Sequence, residues 1–221
     1  MSETTEAKTV RIDFVSDVVC PWCIIGYKQL QAALDATGIK GEIHWWPFEL
    51  NPLMAEEGEH LQEHLAAKYG TTPDGSAKAR ERLTTLGAEL GFTFNYADDM
   101  RMVNTWRAHQ LLAWAEDQGR KHELKLSLFE AFFTRRENIN DLEVLVGVAQ
   151  SLDLDGEAAR AALEDERYAD QVREEERLWS ERGIQGVPAV ILNQRYLLTG
   201  AQGAERFAAA LQQVANESDA A

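Results

Sequence analysis

Cysteine is nearly absent from the chain. Two in 221 residues cannot form the disulfide network that holds a small secreted scaffold together. Basic residues are also in short supply: 22 Lys and Arg against 37 Asp and Glu leave a net charge of −15. Phosphate backbones and anionic membrane surfaces repel such a chain, so neither nucleic acid nor membrane is expected as a partner. No apolar run reaches the roughly 18 residues that a membrane span requires. The start, Met1 to Lys8, lacks the basic-then-apolar order of an export signal and reads as a short polar tail, which makes a cytoplasmic protein the expectation. What remains is an ordinary globular composition, 45% hydrophobic and 27% charged, enough to bury a core.

The few cysteines are not scattered. Cys20 and Cys23 stand three apart, a spacing with a chance probability of about 1%. Before them, Val10-Arg11-Ile12-Asp13-Phe14-Val15 alternates apolar and polar residues as a strand does, and Ser16-Asp17 ends it. After them, Ile24, Tyr27, Leu30 and Leu34 recur at helical spacing until Gly38, and Pro21 suits a first helical turn. Glu42 to Phe48 reads as a second strand, so the first 50 residues predict β-α-β with a parallel strand pair.

The middle reads as helical: Glu59–Tyr69, Pro73–Leu90, Val103–Gln118, His122–Arg135, Leu142–Leu152, Ala158–Leu163 and Arg167–Glu181. Glu174-Glu175-Glu176 reads as a solvated face of the last of these. The end returns to strand: Val187–Leu192, a tight turn at Asn193-Gln194, Tyr196–Leu198, then a closing helix from Gly203 to Val214. No repeat or low-complexity linker divides the chain. The pattern predicts one α/β domain, residues 1–54 and 166–221, interrupted by an all-helical insertion over 55–165.

A Cys-x-x-Cys at a helix start has a chemistry of its own. Unpaired N–H groups and the helix dipole favour an anion at the first position, and the thiolate is the attacking form of cysteine. Cys20 is then the nucleophile, and Cys23, one turn on and shielded, attacks second to release the mixed disulfide. Pro21 stiffens the turn and Trp22 sets a large uncharged surface beside the sulfur. A zinc site is disfavoured because no second Cys-x-x-Cys exists, and His60 and His64 read as an exposed helix face. Pro188, opening a strand after Gly186-Val187, is a candidate cis proline, with Val187 offering its backbone N–H and C=O to a bound peptide.

These residues resemble the DsbA branch of the thioredoxin superfamily, and within it the FrnE-like group of dithiol–disulfide isomerases. The likeness is carried by Ser16 to Gly26, Phe48-Glu49-Leu50-Asn51-Pro52, Asn104 to His109, Gly186-Val187-Pro188 and Thr199-Gly200-Ala201-Gln202, and it extends from near residue 10 to near 215. The resemblance implies a thioredoxin-like fold, a thiol–disulfide oxidoreductase or isomerase with Cys20 as nucleophile, Cys23 as resolving thiol and Pro188 as the cis proline, and no bound cofactor. It implies disulfide-containing proteins or glutathione as partners, a monomer or homodimer, and a substrate cleft faced by Asn104, Trp106 and His109. Trp22 stands where DsbA proteins carry histidine, which implies a weaker oxidant. An alternative within the same branch is a glutathione-dependent isomerase or transferase of the hydroxychromene-carboxylate isomerase or kappa type. Those generally have serine in place of the first cysteine; a pocket of Trp106, Trp114 and His109 would hold a small aromatic.

Overall fold

The computed structural model describes residues 8–217; the polar start, residues 1–7, and residues 218–221 lie outside them. Strand β1 (Thr9–Ser16) is followed by helix α1 (Pro21–Thr37) and strand β2 (Lys40–Pro47). β2 runs parallel to β1, with Ile12 opposite Ile43 and Phe14 opposite Trp45. Near the end of the chain, β5 (Ala189–Leu192) and β6 (Tyr196–Thr199) complete a sheet of order β2-β1-β5-β6, both added antiparallel. Asn193 and Gln194 take positive φ values of 46° and 56° in the three-residue turn, 193–195, between the paired Leu192 and Tyr196. Helix α9 (Ala204–Glu217) closes the domain against α1.

β1 is the central strand and is buried on both faces, so its alternation separates two packing layers. Val10, Ile12 and Phe14 join the large core under α1 and α9. Val15 points the other way, into a smaller cluster with Trp179, Ile184 and Ile191. Asp13, buried on that strand, accepts hydrogen bonds from Arg11 (2.7 Å) and Trp46 Nε1 (2.9 Å). Helix α1 stops where expected: Gly38 adopts φ 67° and returns its N–H to Leu34 O at 2.9 Å.

Between β2 and β5 lie α2 (Leu61–Tyr69), α3 (Pro73–Glu89), α4 (Trp106–Asp117), α5 (Lys121–Phe129), α6 (Leu142–Gln150), α7 (Gly156–Glu164) and α8 (Ala169–Glu181), together with two short strands, β3 (Glu59–His60) and β4 (Arg101–Met102). Several boundaries differ from those the sequence predicts. Glu59 and His60 do not begin a helix; they pair antiparallel with Met102 and Arg101. Helix α4 starts at Trp106, directly after Thr105, and Asn104 Oδ1, one residue further back, takes the Trp106 N–H at 2.8 Å. After Phe129 the backbone widens into a π-helical turn, Glu130–Thr134, which sets Phe132 and Phe133 in edge contact at 4.8 Å.

Two surface expectations are corrected. The acidic run is solvated only at Glu174; Glu175 and Glu176 are half-buried, and Glu176 bonds Arg173 at 2.9 Å. His64 is buried rather than exposed, its Nδ1 2.7 Å from Glu59 Oε2.

Packing of the helical segment is tightest where α3 meets the Phe92–Phe94 loop. A Cβ at Gly87 would lie 2.5 Å from the Phe94 ring and 2.8 Å from Phe92 O. Overpacking of that kind costs about 2 kcal/mol. Gly87→Ala is expected to lower the unfolding free energy by that amount, seen as a lower urea midpoint with an unchanged slope by circular dichroism.

Candidate active site

Cys20 is the residue before helix α1, with extended backbone (φ −89°, ψ 111°) and Pro21 at the first helical position. Its N–H donates to Asp17 O at 3.2 Å, and Cys23 N donates to Cys20 O at 3.0 Å, so the strand-to-helix turn is closed by main-chain bonds. Both thiols are free. They differ in surroundings. Cys20 Sγ–H points at Val187 O, 3.8 Å away, and the sulfur borders a cavity. Cys23 is fully buried; burial, and then its hydrogen bond and charge interaction with Cys20, push its thiol well up.

Val187 precedes Pro188 through a cis peptide bond. Pro188 is held from two sides. Its carbonyl accepts Gly200 N–H at 2.7 Å, and its ring lies against Gly26 of α1, where a Cβ would sit 3.3 Å from Cγ. The Thr199–Gln202 run therefore supports the proline. Gly200, at φ 78°, turns the chain back onto Pro188, and Ala201 fills the space left by Gly26. Gln29 of α1 secures the same turn by accepting Gly203 N–H at 2.8 Å.

Beneath the dithiol lies a set of buried charges that the sequence alone did not reveal. Asp17 is wholly buried and accepts Leu50 N–H at 2.7 Å, with His109 Nε2 3.3 Å from its other oxygen. Burial alone would raise its carboxyl, but those hydrogen bonds and the charges of His109 and Lys125 hold it below the usual carboxylate range. Lys125 of α5 is 1% exposed; its ammonium donates to Ser16 O at 3.3 Å and lies 5.6 Å from the Trp45 ring centroid. Burial lowers its pKa to about 8, against the pull of Cys23, Asp17 and Cys20. One signal for Lys125 was legible: it occupies an apolar stripe, between Leu124 and Leu128, where a cation has no reason to be unless it is paired.

The cavity beside Cys20 encloses about 400 Å³. Trp22, Leu50 and Val187 form its rim on the dithiol side, and Trp22 is 37% exposed there. Tyr69, Ser76, Arg80 and Leu83 from α2 and α3 line it as well, together with Tyr96, Met102 and Phe132. Burial, then the charge of Cys20, pushes the Tyr96 phenol up.

Cys20, Pro21, Trp22 and Val187 thus come together at this cavity, with Pro188 directly behind Val187. Asn104, Trp106 and His109 do not line it, contrary to the expectation of a cleft built from them. Asn104 accepts the Trp106 N–H at 2.8 Å and donates to Met54 O at 2.9 Å. The Trp106 ring lies under the Arg173 guanidinium at 3.7 Å. His109 is turned inward to Asp17, and the void beside it is only about 10 Å³, too small for an aromatic ligand. Trp114 is buried in the core. No group of three or more His, Cys, Asp or Glu among the described residues is arranged to hold a metal, and no helix among them is long and apolar enough to cross a membrane.

Comparison with known proteins matches residues 11–212 to the DSBA-like thioredoxin domain. A probable DsbA oxidoreductase from Streptomyces coelicolor superposes with a TM-score of 0.88 at 33% identity, covering 94% of this chain and 91% of that one. The cytosolic disulfide reductase DsbM from Pseudomonas aeruginosa, solved with GSH, shares the fold at a TM-score of 0.60 and 18% identity, covering 92% and 98%. The uncharacterized protein YwbO of Bacillus subtilis is 27% identical over 204 residues, 92% of this chain and 96% of that protein.

The buried ammonium of Lys125 makes a pH-dependent contribution to stability. Its folded pKa of about 8 lies below the ordinary 10.5, so between those values the unfolded chain binds more protons. The ammonium therefore costs the folded state nothing above pH 10.5 and its full penalty below pH 8. Relative to wild type, Lys125→Met is expected to gain about 3 kcal/mol of stability as pH falls through that window, measured by urea unfolding at fixed ionic strength. A constant difference across it would contradict the assignment.

Proposed function

The chain belongs to the DSBA-like thioredoxin domain family, and from that premise we propose that it is a dithiol–disulfide oxidoreductase in which Cys20 attacks a substrate disulfide and Cys23 resolves the mixed disulfide. The observation that carries this reading is the asymmetry of the two thiols. Cys20, 3% exposed, borders the cavity, whereas Cys23, one turn further, is sealed from solvent, and burial and the neighbouring Cys20 push its thiol up.

The steps follow from that asymmetry. Cys20 loses its proton, and with it the contact to Val187 O, at the start of α1, where the helix dipole favours an anion. The thiolate attacks one sulfur of the substrate, the substrate disulfide breaks, and its second sulfur leaves as a thiolate that takes a proton. Val187, freed from the Cys20 thiol, offers its backbone to an extended substrate strand. Cys23 then loses its proton and attacks the Cys20 sulfur, expelling the second substrate thiol and closing the Cys20–Cys23 disulfide. Burial opposes ionisation of Cys23, and the Lys125 ammonium offsets part of that cost. The net result is two electrons passed from the protein dithiol to the substrate disulfide, or the reverse when the protein begins oxidised.

The finer assignments belong to the same reading: a FrnE-like oxidoreductase or isomerase working in the cytoplasm, with Pro188 beside the substrate, residues 55–165 as a helical insertion domain, and protein disulfides or glutathione as partners. An intact dithiol separates it from the serine-bearing isomerase and transferase alternative.

Insulin reduction and the refolding of scrambled ribonuclease test it. Cys20→Ser is expected to fall to the uncatalysed background in both, and Cys23→Ser to accumulate a mixed disulfide on Cys20, visible as added mass. Wild type performing no better than Cys20→Ser in either assay would refute the reading. Trp22→His is expected to raise the Cys20–Cys23 potential by roughly 30 mV, the equivalent of one charge-assisted hydrogen bond to the thiolate. A glutathione titration showing no rise would count against a role for Trp22 in setting it.

A further inference from the structure

The cavity beside Cys20 is chemically unlike the rest of the molecule. The chain carries 37 acidic residues against 22 basic ones, yet among the described residues no Asp or Glu lines this space, and the single Lys or Arg that does is Arg80. The Arg80 side chain is largely buried, and Asp98, with which it forms an ion pair, is fully exposed and 4.0 Å away. One helical turn earlier, Ser76 is 2% exposed, and its Oγ has no hydrogen-bond partner among the described residues. A buried hydroxyl without a partner is costly, and here it lines the cavity on the same face of α3 as the guanidinium. Much of the remaining lining is aromatic or thioether: Tyr69, Tyr96, Met102 and Phe132.

The geometry points to a small-molecule site for an aromatic disulfide or mixed disulfide bearing one anionic group, a carboxylate for example, with the anion on Arg80 and Ser76 and the sulfur at Cys20. This inference rests on the oxidoreductase reading and names the substrate class of that same site. A volume of about 400 Å³ accommodates one substituted ring with its disulfide. Glutathione fits the lining poorly. It brings two carboxylates and an ammonium to a space that has one guanidinium and no acidic side chain. The reaction is the balanced exchange already described: the substrate disulfide is reduced to two thiols, the Cys20–Cys23 pair is oxidised, and the two cysteine protons end on the two product thiols.

The test is the rate at which the reduced full chain is oxidised in a single turnover by two aromatic disulfides. These are the anionic 5,5′-dithiobis(2-nitrobenzoate), of which one ring with its single carboxylate enters the cavity and the other is the leaving half, and the uncharged 4,4′-dithiodipyridine. Their rate ratio is compared in wild type and Arg80→Gln, with Cys20→Ser as the reference for the exchange itself. The anionic-to-uncharged ratio is expected to fall about tenfold in Arg80→Gln, the loss of one charge-assisted hydrogen bond, and less steeply in Ser76→Ala. An unchanged ratio in Arg80→Gln would overturn the inference. A second arm needs no variant: 2-naphthoate, which has no sulfur to exchange, is expected to slow the uncharged disulfide saturably, and 2-naphthylmethanol to do so far more weakly. Equal inhibition by the two would overturn the anion site. If wild type reacts no faster than Cys20→Ser with both disulfides, it is the oxidoreductase reading that falls, a result separate from either of these.

Discussion

The site depends on one buried carboxylate. Asp17 has no exposure to solvent, and an uncompensated charge there would cost several kcal/mol. Its compensation comes from three stretches of the chain. The Leu50 N–H lies 33 residues on, His109 reaches it from α4, 92 residues on, and the charge of Lys125 acts from α5. Meeting those demands fixes the loop after β2 and two of the helices between β2 and β5 relative to the turn that carries Cys20. The Asp17 carbonyl then anchors that turn by accepting Cys20 N–H. The dithiol is held by the partners of a charge that takes no direct part in the exchange.

That anchoring also sets the electrical environment. The chain as a whole is strongly acidic, but under the dithiol Asp17 is balanced by Lys125 and His109, and among the described residues the only Lys or Arg lining the space above it is Arg80. A sulfur that must alternate between thiolate and disulfide is poorly served by acidic neighbours, because each would raise the cost of the charged form. The surplus of Asp and Glu is accordingly spread over exposed helix faces. Where acids do enter the interior beside α8, they are matched: Glu49 and Glu176 share the Arg173 guanidinium, which also stacks on Trp106.

What could be read from the residues follows from how local each signal is. The β-α-β start, the hairpin and the closing helix were legible because period-two and helical patterns, Gly38 and Asn193-Gln194 act within a few positions. The dithiol and Pro188 were legible for the same reason. The β3–β4 pairing was not, because its two strands stand far apart in the sequence. The late start of α4 was hidden by the bond between Asn104 and the Trp106 N–H, and the π-helical turn after Phe129 by the aromatic packing around it. Asn104, Trp106 and His109 do act together, but they bond, stack and anchor inside the fold instead of facing a cleft. A histidine in a helix gives no sign of which side its partner approaches from. Ser76 and Arg80 carry no local signal at all; their meaning appears only once α3 is laid over Cys20.

The helical segment between β2 and β5 therefore does two different things on its two sides. Through α4 and α5 it sends His109 and Lys125 under the dithiol, where they act on the charge states of Asp17 and Cys23. Through α2 and α3 it roofs the space over Cys20 with Tyr69, Ser76 and Arg80. The two sides share no residue, and Cys20 stands between them. Change on the α3 face can thus redirect which disulfide is accepted while the buried set that supports the thiols stays as it is. Change in α4 or α5 is constrained by the need to keep Asp17 satisfied. A fold that separates selection from electrostatic support in this way can diversify its substrates without rebuilding its reactive centre, provided the α2–α3 roof keeps Cys20 reachable and Cys23 sealed.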